Sequence, residues 1–197
     1  MVRHSVASYL RNELPPLINV ANRQWETHIP QIGEVKPYPP KELRHRDKPL
    51  LAVTLGPTSG FHFLGNDPDG QPVFDAVYQI KIWVWCFTPE LPNGQQYTAH
   101  EQIVEATEQA RDRLIGLTRI LLFRDVTLGT DYTEIGDYKA IKETYSETIP
   151  VPNMSGRLVA AACLEFPLTV TETVLAPPLG VAETTNLETE VMEHDCA

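Results

Sequence analysis

The sequence predicts an α+β domain, because two segments have the spacing of amphipathic helices and three have the patterns of strands. Apolar side chains recur at three- and four-residue spacing in residues 5–22 and again in residues 98–115. Alternation typical of strands marks residues 77–87 and 157–174, and a short apolar run marks residues 50–55. At 197 residues, with 42% hydrophobic and 21% charged residues, the chain is long enough to form one core.

Composition divides the chain into a domain at residues 1–175 and an acidic, extended C-terminal tail at residues 176–197. The formal net charge is −10, and no Lys or Arg follows Arg157. A polar, acidic segment of this kind cannot bury enough surface to fold alone. The acidic surplus also disfavours a domain that grips DNA phosphates, which normally carries a basic surplus.

The opening helix contains two consecutive prolines, Pro15 and Pro16. They predict either a kink or two short helices, the second with Pro16 in its first turn. Residues 29–49 are rich in proline and are expected to form an extended arm. This arm is basic, and we consider it a candidate partner contact, with a solvated charged loop as the alternative. Its basic residues are Lys36, Lys41, Arg44, Arg46 and Lys48.

The clearest strand is predicted over residues 77–87, after a short strand that Gly56 and Pro57 end and a loop or hairpin tip at residues 60–72. One face of this strand carries Tyr78, Ile80, Ile82, Val84 and Cys86, and the other ends in Trp83, Trp85 and Phe87. A strand that is apolar on both faces needs a second cover. That cover is either a helix of the same subunit or a neighbouring subunit, so Trp83, Trp85 and Phe87 are candidate subunit-interface residues.

The second helix is predicted to begin with a capping box formed by Thr98 and Glu101. Its charged residues, Arg111 among them, are expected to face solvent mostly. The helix either ends at Gly116 or continues over residues 117–123. A further strand is expected at residues 138–148, and Pro167 places part of the last strand at an edge or a bulge.

Motifs for catalysis, cofactors or metals are not found, so no such residue is predicted. The six histidines and three cysteines have no metal-ligand spacing. Ser59 lies one position too late for a nucleophile elbow. Cys86 and Cys163 are expected to pack as small hydrophobic residues, and Cys196 is expected to be free. No run approaches the ~18 apolar residues of a membrane helix, and the N-terminus has no signal-peptide core.

The order and pattern of these elements resemble the tail terminator (tail-completion) proteins of long-tailed bacteriophages. The resemblance covers most of residues 5–174 and rests on four places. They read SVASYLRNELPPLI, KPLLAVTLG, FDAVYQIKIWVWCF followed by AHEQIVEATEQARDRLIGL, and GRLVAAACLEFPLTVTETV.

The resemblance implies an antiparallel or mixed sheet of about four to five strands backed by two or three helices. It implies a non-enzymatic virion protein, made in the host cytoplasm, that forms a hexameric ring at the head-proximal end of the tail tube. The ring ends tube polymerisation and docks to the head–tail connector or stopper protein. Genomic DNA passes through the lumen without sequence-specific binding, and an acidic lumen would repel its phosphates.

Three alternatives remain open at this point. The close alternative is another neck component, such as a head-completion or stopper protein, and a further one is a tail-tube subunit. The third is a small-ligand-binding or enzymatic α/β domain. It predicts a monomer or dimer with a pocket of converging polar groups.

Overall fold

In a computed structural model, the described part of the chain folds into a mixed seven-stranded sheet with two long helices. The α+β class is therefore confirmed, with more strands than expected. The structure describes residues 2–25, 28–41, 43, 48–91, 95–136, 138–151, 154 and 156–174. The elements are α1 (Val2–Gln24), β1 (Glu34–Lys36), β2 (Leu50–Asn66), β3 (Pro72–Phe87), α2 (His100–Arg124), β4 (Thr133–Glu134), a 3₁₀ turn (Tyr138–Ala140), β5 (Lys142–Tyr145), β6 (Ile149–Pro150) and β7 (Leu158–Thr173).

The sheet has the strand order β1-β2-β3-β7, and β6, β5 and β4 follow one another along the outer side of β7. β1 is parallel to β2, and all the other described pairs are antiparallel. β2 and β3 form a long hairpin, and β7 pairs with β3 over nearly its whole length. β3 is therefore the central strand.

The core lies between one face of the sheet and both helices. Leu10, Leu14 and Ile18 of α1 and Leu114 of α2 are fully buried there. They pack in one cluster with Ile80, Ile82, Val84 and Cys86 of β3 and with the alternate residues Ala162, Leu164, Phe166, Leu168 and Val170 of β7. Each fully buried side chain of this size contributes about 1.5–3 kcal/mol relative to an exposed one. The predicted division of β3 and β7 into two faces is confirmed.

α1 continues as a single helix through Pro15 and Pro16, so the alternative of two short helices is wrong. Proline lacks the N–H that would bond to a carbonyl four residues earlier, which weakens this part of the helix. Contacts from the side chains of α1 hold the chain that follows it. Arg11 donates to the carbonyl of Val35 at 2.7 Å, and the side-chain amide of Asn22 bonds to both the N–H and the carbonyl of Ile29.

The proline-rich segment after α1 is only partly an arm. Its residues 34–36 form β1 at the edge of the sheet, with Val35 buried opposite Leu51. This strand was missed because three residues carry no periodicity of their own. Arg44 and Arg46 lie outside the described residues.

β2 does not end at Gly56 and Pro57, in contrast to the sequence prediction. It runs to Asn66 and passes Pro57 in one of three register shifts in its pairing with β3. Such bulges accommodate residues that a regular ladder excludes. The turn between β2 and β3 covers only residues 67–71, so it is shorter than the predicted 60–72 loop. The Asp67 carboxylate stabilises this turn by accepting the backbone N–H groups of Asp69 and Gln71.

α2 lacks the predicted capping box. The N-cap residue Ala99 makes no side-chain cap, and instead the N–H and hydroxyl of Thr98 both donate to the Gln102 side chain, at 3.1 and 3.0 Å. The helix continues through Gly116 to Arg124. Of the two predicted alternatives, continuation over residues 117–123 is therefore confirmed and an end at Gly116 is wrong. Arg111 was expected to face solvent, but it is only 7% exposed.

The C-terminal part of the domain is mostly β7. Residues 138–148 form a 3₁₀ turn and the short β5 instead of one strand. The partners of β5 on β7 reach Glu165 and those of β4 begin at Thr169, so Pro167 falls between them. The predicted edge position of Pro167 is thereby confirmed. Cys86 and Cys163 are buried, also as predicted, while Cys196 and the tail lie outside the described residues.

Candidate functional site

The face of the sheet opposite the helices carries a pair of stacked tryptophans. Trp83 and Trp85 project from β3 away from the helical core, with ring centroids 5.8 Å apart and an interplanar angle of 17°. Both indoles are partly exposed. In register, Leu50, Trp85 and Ala161 form one row across the sheet, and Ala52, Trp83 and Cys163 form the next. We call these six residues the open face.

Small and buried side chains surround the two indoles. Leu50 and Ala52 are fully buried. The apolar cluster described on this side of the sheet consists of Phe87, Val151, Val159 and Trp85, and it includes no helix residue. On β7, the small side chains of Ala161 and Cys163 beside the indoles are 9% and 5% exposed. Burial raises the pKa of the Cys163 thiol to about 11, so this cysteine is a packing residue with little thiolate character.

Phe87, the third candidate interface residue, has a different environment. It is only 4% exposed and packs with Val151 and Val159, and Trp85 contacts this small cluster. The structure thus brings Trp83 and Trp85 together on a surface and places Phe87 within the packing beside it. The alternation of side chains along β3 correctly predicts on which side of the sheet Trp83, Trp85 and Phe87 lie. It does not predict how exposed each aromatic ring is.

Ion pairs border the open face. Lys81 and Glu165 are paired at 3.2 Å, one row further along the same side of β3 and β7. On β1, Lys36 pairs with Glu34 at 3.3 Å and lies over the ring of Tyr38. Lys36 is in register with Ala52, which places it on the same side of the sheet. An apolar centre with a charged border is the usual anatomy of a protein–protein interface.

A second apolar surface lies at the far end of the β2–β3 hairpin. Phe61, Phe63 and Leu64 are 69%, 55% and 50% exposed, and Phe63 contacts Phe74 with ring centroids 5.4 Å apart. We call Phe61, Phe63, Leu64 and Phe74 the aromatic tip. The sequence predicts a loop or hairpin tip over residues 60–72, whereas the structure extends β2 through this segment. The spacing of Phe61 and Phe63 around His62 was the available signal for a strand.

Of the basic arm, the structure describes Lys36, Lys41 and Lys48, and its role as a partner contact stays a prediction. Lys36 is engaged in the ion pair with Glu34, whereas Lys41 and Lys48 are exposed. Lys48 lies next to Pro49 and Leu50 at the end of the open face.

A pocket with several titratable groups lies between α1 and the loop after α2. It has a volume of about 720 Å³, and its lining includes His4, Tyr9, Glu13 and Asp125. Burial and the neighbouring Asp125 raise the pKa of Tyr9. Burial also pushes the pKa of Asp125 upward, but hydrogen bonds from the Thr127 hydroxyl, the backbone and Tyr9 outweigh it and hold that pKa below its usual value.

The hydrogen bonds in this pocket stabilise the loop that follows α2. Thr127 donates to the Asp125 carboxylate from its hydroxyl at 2.7 Å and from its N–H at 3.1 Å. A protonated tyrosine and a carboxylate occupied by these donors are poorly suited to general acid–base work at neutral pH.

Two further findings concern metals and membranes. Within the described ranges, no group of three or more His, Cys, Asp or Glu could hold a metal ion. In the same ranges no helix has the length and apolar character needed to cross a membrane. In comparisons with known proteins, no family model matches the chain, and no curated protein matches it either.

Proposed function

We propose that the protein is a structural virion component that forms a ring at the head-proximal end of a phage tail tube. The ring ends tube polymerisation, contacts the tail-tube protein on one side and docks to the head–tail connector or stopper protein on the other. One observation carries this proposal: a single subunit presents two different apolar surfaces, the open face and the aromatic tip. Two unlike surfaces on one chain suit a heterologous contact, which forms a ring when its rotation closes.

Fold and charge support the same function. The α+β class agrees with the fold that the resemblance to tail terminators implies. The net charge of −10 suits a ring through which DNA passes without adhering, because an acidic lumen repels phosphates. The copy number of six comes from the resemblance.

The oligomeric state of the purified protein tests the proposal. We expect light scattering after size exclusion to give a closed ring of about six copies, and negative-stain images of the same fraction to contain rings without filaments. Added to purified tail tubes, the protein should cap one end. Long tubes of the protein alone would favour a tail-tube subunit instead. A monomer that leaves tail tubes uncapped would contradict the proposal and favour a ligand-binding domain.

Truncation of one indole separates assembly from folding. In Trp85→Ala we expect the contact between subunits to weaken by at least about 30-fold, the ~2 kcal/mol of an interface hot spot, with a smaller loss in monomer stability. Trp25, exposed at the end of α1, provides the matched control Trp25→Ala, which should assemble like the wild type. A loss of monomer stability as large as the loss of assembly would identify Trp85 as a core residue only.

A further inference from the structure

We propose that the aromatic tip of one subunit packs on the open face of the next subunit. This head-to-tail contact deepens the proposed function and rests on it for the occupant, which is a second copy of this chain. The proposal assigns one partner contact to the exposed aromatic tip and to the two partly exposed indoles of the open face.

The strand register places the two surfaces on opposite sides of the sheet. Phe74 has the same parity as Ile80 on β3, so it lies on the helical side, and Phe63 is directly opposite it. Trp83 and Trp85 have the other parity and face away from the helices. Side chains of opposite parity on one strand point to opposite faces.

The two surfaces also lie at opposite ends of the hairpin. Trp83 lies nine positions after Phe74 on β3, a distance of about 30 Å along an extended strand. When the tip of one subunit contacts the open face of a second, the second subunit's own tip points away from the first. A reciprocal two-fold pair through these surfaces is therefore excluded, and the contact propagates from subunit to subunit.

The chemistry of the two surfaces is complementary. Three phenyl rings and a leucine on the tip meet two partly exposed indoles, and aromatic pairs contribute about 0.5–1.5 kcal/mol each beyond their buried area. The turn next to the tip carries Asp67 and Asp69, and the exposed Lys48 lies at the end of the open face. Opposite charges at the border of an apolar contact favour one orientation of docking.

Two variants that each lack one surface test the contact. The tip variant is Phe61→Ser with Phe63→Ser, and the face variant is Trp83→Gln with Trp85→Gln. The matched control, Ile120→Ser with Phe123→Ser, removes two similarly exposed apolar side chains from α2. We expect each surface variant to be monomeric by light scattering, while the control assembles like the wild type.

Mixing the two monomeric variants gives the decisive result. The tip variant retains an intact open face and the face variant retains an intact tip, so an equimolar mixture should form one-to-one dimers and nothing larger. Absence of this dimer, or rings formed by the tip variant alone, overturns the contact.

A cross-link that leaves both tryptophans in place guards against a face variant that fails to fold. Phe61 is replaced by p-benzoylphenylalanine, and the photoproduct is digested and sequenced by mass spectrometry. We expect adducts on a second copy within residues 50–52, 79–87 or 159–165. Adducts confined to other segments, or none, overturn the proposal.

The outcomes separate this contact from the proposed function. Rings that persist in the tip variant reject the contact and leave the ring proposal intact. A wild-type protein that stays monomeric at its highest attainable concentration and yields no cross-link rejects the contact, and the capping of tail tubes then decides the proposed function.

Discussion

The side chain of Arg111 joins α2 to the strands at the far edge of the sheet. Its Nη1 donates to the carbonyl of Ser146 at 3.0 Å, its Nε donates to Asp112, and its guanidinium lies 5.0 Å from the centre of the Tyr145 ring. Tyr145 in turn donates to Glu143, and burial together with this hydrogen bond raises the pKa of Tyr145 to about 12. A guanidinium can make these contacts at once because it is planar and has several fixed donors.

Replacement of Arg111 by lysine should therefore be costly. An ammonium cannot keep both the planar stacking and the separate hydrogen bonds, so we expect Arg111→Lys to lower the free energy of unfolding by about 2 kcal/mol. Urea unfolding measures this value. Arg113→Lys on the exposed side of α2 is the control and should change stability by less than about 0.5 kcal/mol. Equal effects of the two substitutions would contradict the role of the Arg111 contacts.

The charge of Asp125 should stabilise the fold at neutral pH but not in strong acid. Its pKa is lower in the folded protein than its usual value of 3.8, so its contribution is complete above that value and disappears as the pH falls through the folded pKa. We expect Asp125→Asn to lower Tm at pH 7, and the difference from the wild type to shrink below pH ~4. Asp131→Asn, at an exposed position in the same loop, should have little effect at either pH. A difference that stays constant with pH would show that the charge is irrelevant.

At the scale of elements, long periodic segments could be predicted from sequence and short ones could not. The two faces of β3 and β7 follow from alternation alone, and α1 follows from its apolar spacing. β1, β4 and β6 have only two or three residues, so they exist through pairing with longer strands and leave no local signal. The burial of Arg111 was equally hidden, because it depends on Ser146 and Tyr145 in a distant segment.

The prediction that the strand ends at Gly56 and Pro57 was wrong for a related reason. A proline and several glycines usually mark the end of a strand, but here the register shifts absorb them and the pairing with β3 continues. Since the aromatic tip begins beyond the first two of these shifts, the same error removed half of the candidate site from the sequence prediction. The Trp83 and Trp85 half was found because it lies on a regular strand.

Two glycine-to-alanine changes should have opposite signs. Gly60 has a φ of +87° in β2, where an alanine is strained, and its added Cβ would meet no atom within 4 Å. Gly116 lies within α2 without a positive φ and also has open space around it. We expect Gly60→Ala to destabilise the hairpin by about 1 kcal/mol and Gly116→Ala to stabilise the protein by about 0.5–1 kcal/mol. Hydrogen exchange over residues 58–66 measures the first effect and urea unfolding the second. Effects of the same sign would contradict the two backbone conformations.

For the whole molecule, the described core is complete without the tail. Every described core residue lies at or before Val170. We expect a chain that lacks residues 180–197 to keep the wild-type Tm within about one degree, because an acidic polar segment adds little buried apolar surface. Calorimetry of the truncated and full chains makes the comparison. Unfolding on truncation would place the tail within the domain.

The pairing of β3 with β7 has a kinetic consequence. Val73 pairs with Thr173, 100 residues later in the chain, whereas β2 and β3 are joined by a short turn. Contacts so distant in sequence require a large loop to close, so the β2–β3 hairpin is expected to form early and β7 to dock slowly. Ala161 and Cys163 of the open face arrive only with β7. A newly made subunit therefore presents its aromatic tip before its open face is finished, which delays assembly until the last strand has folded.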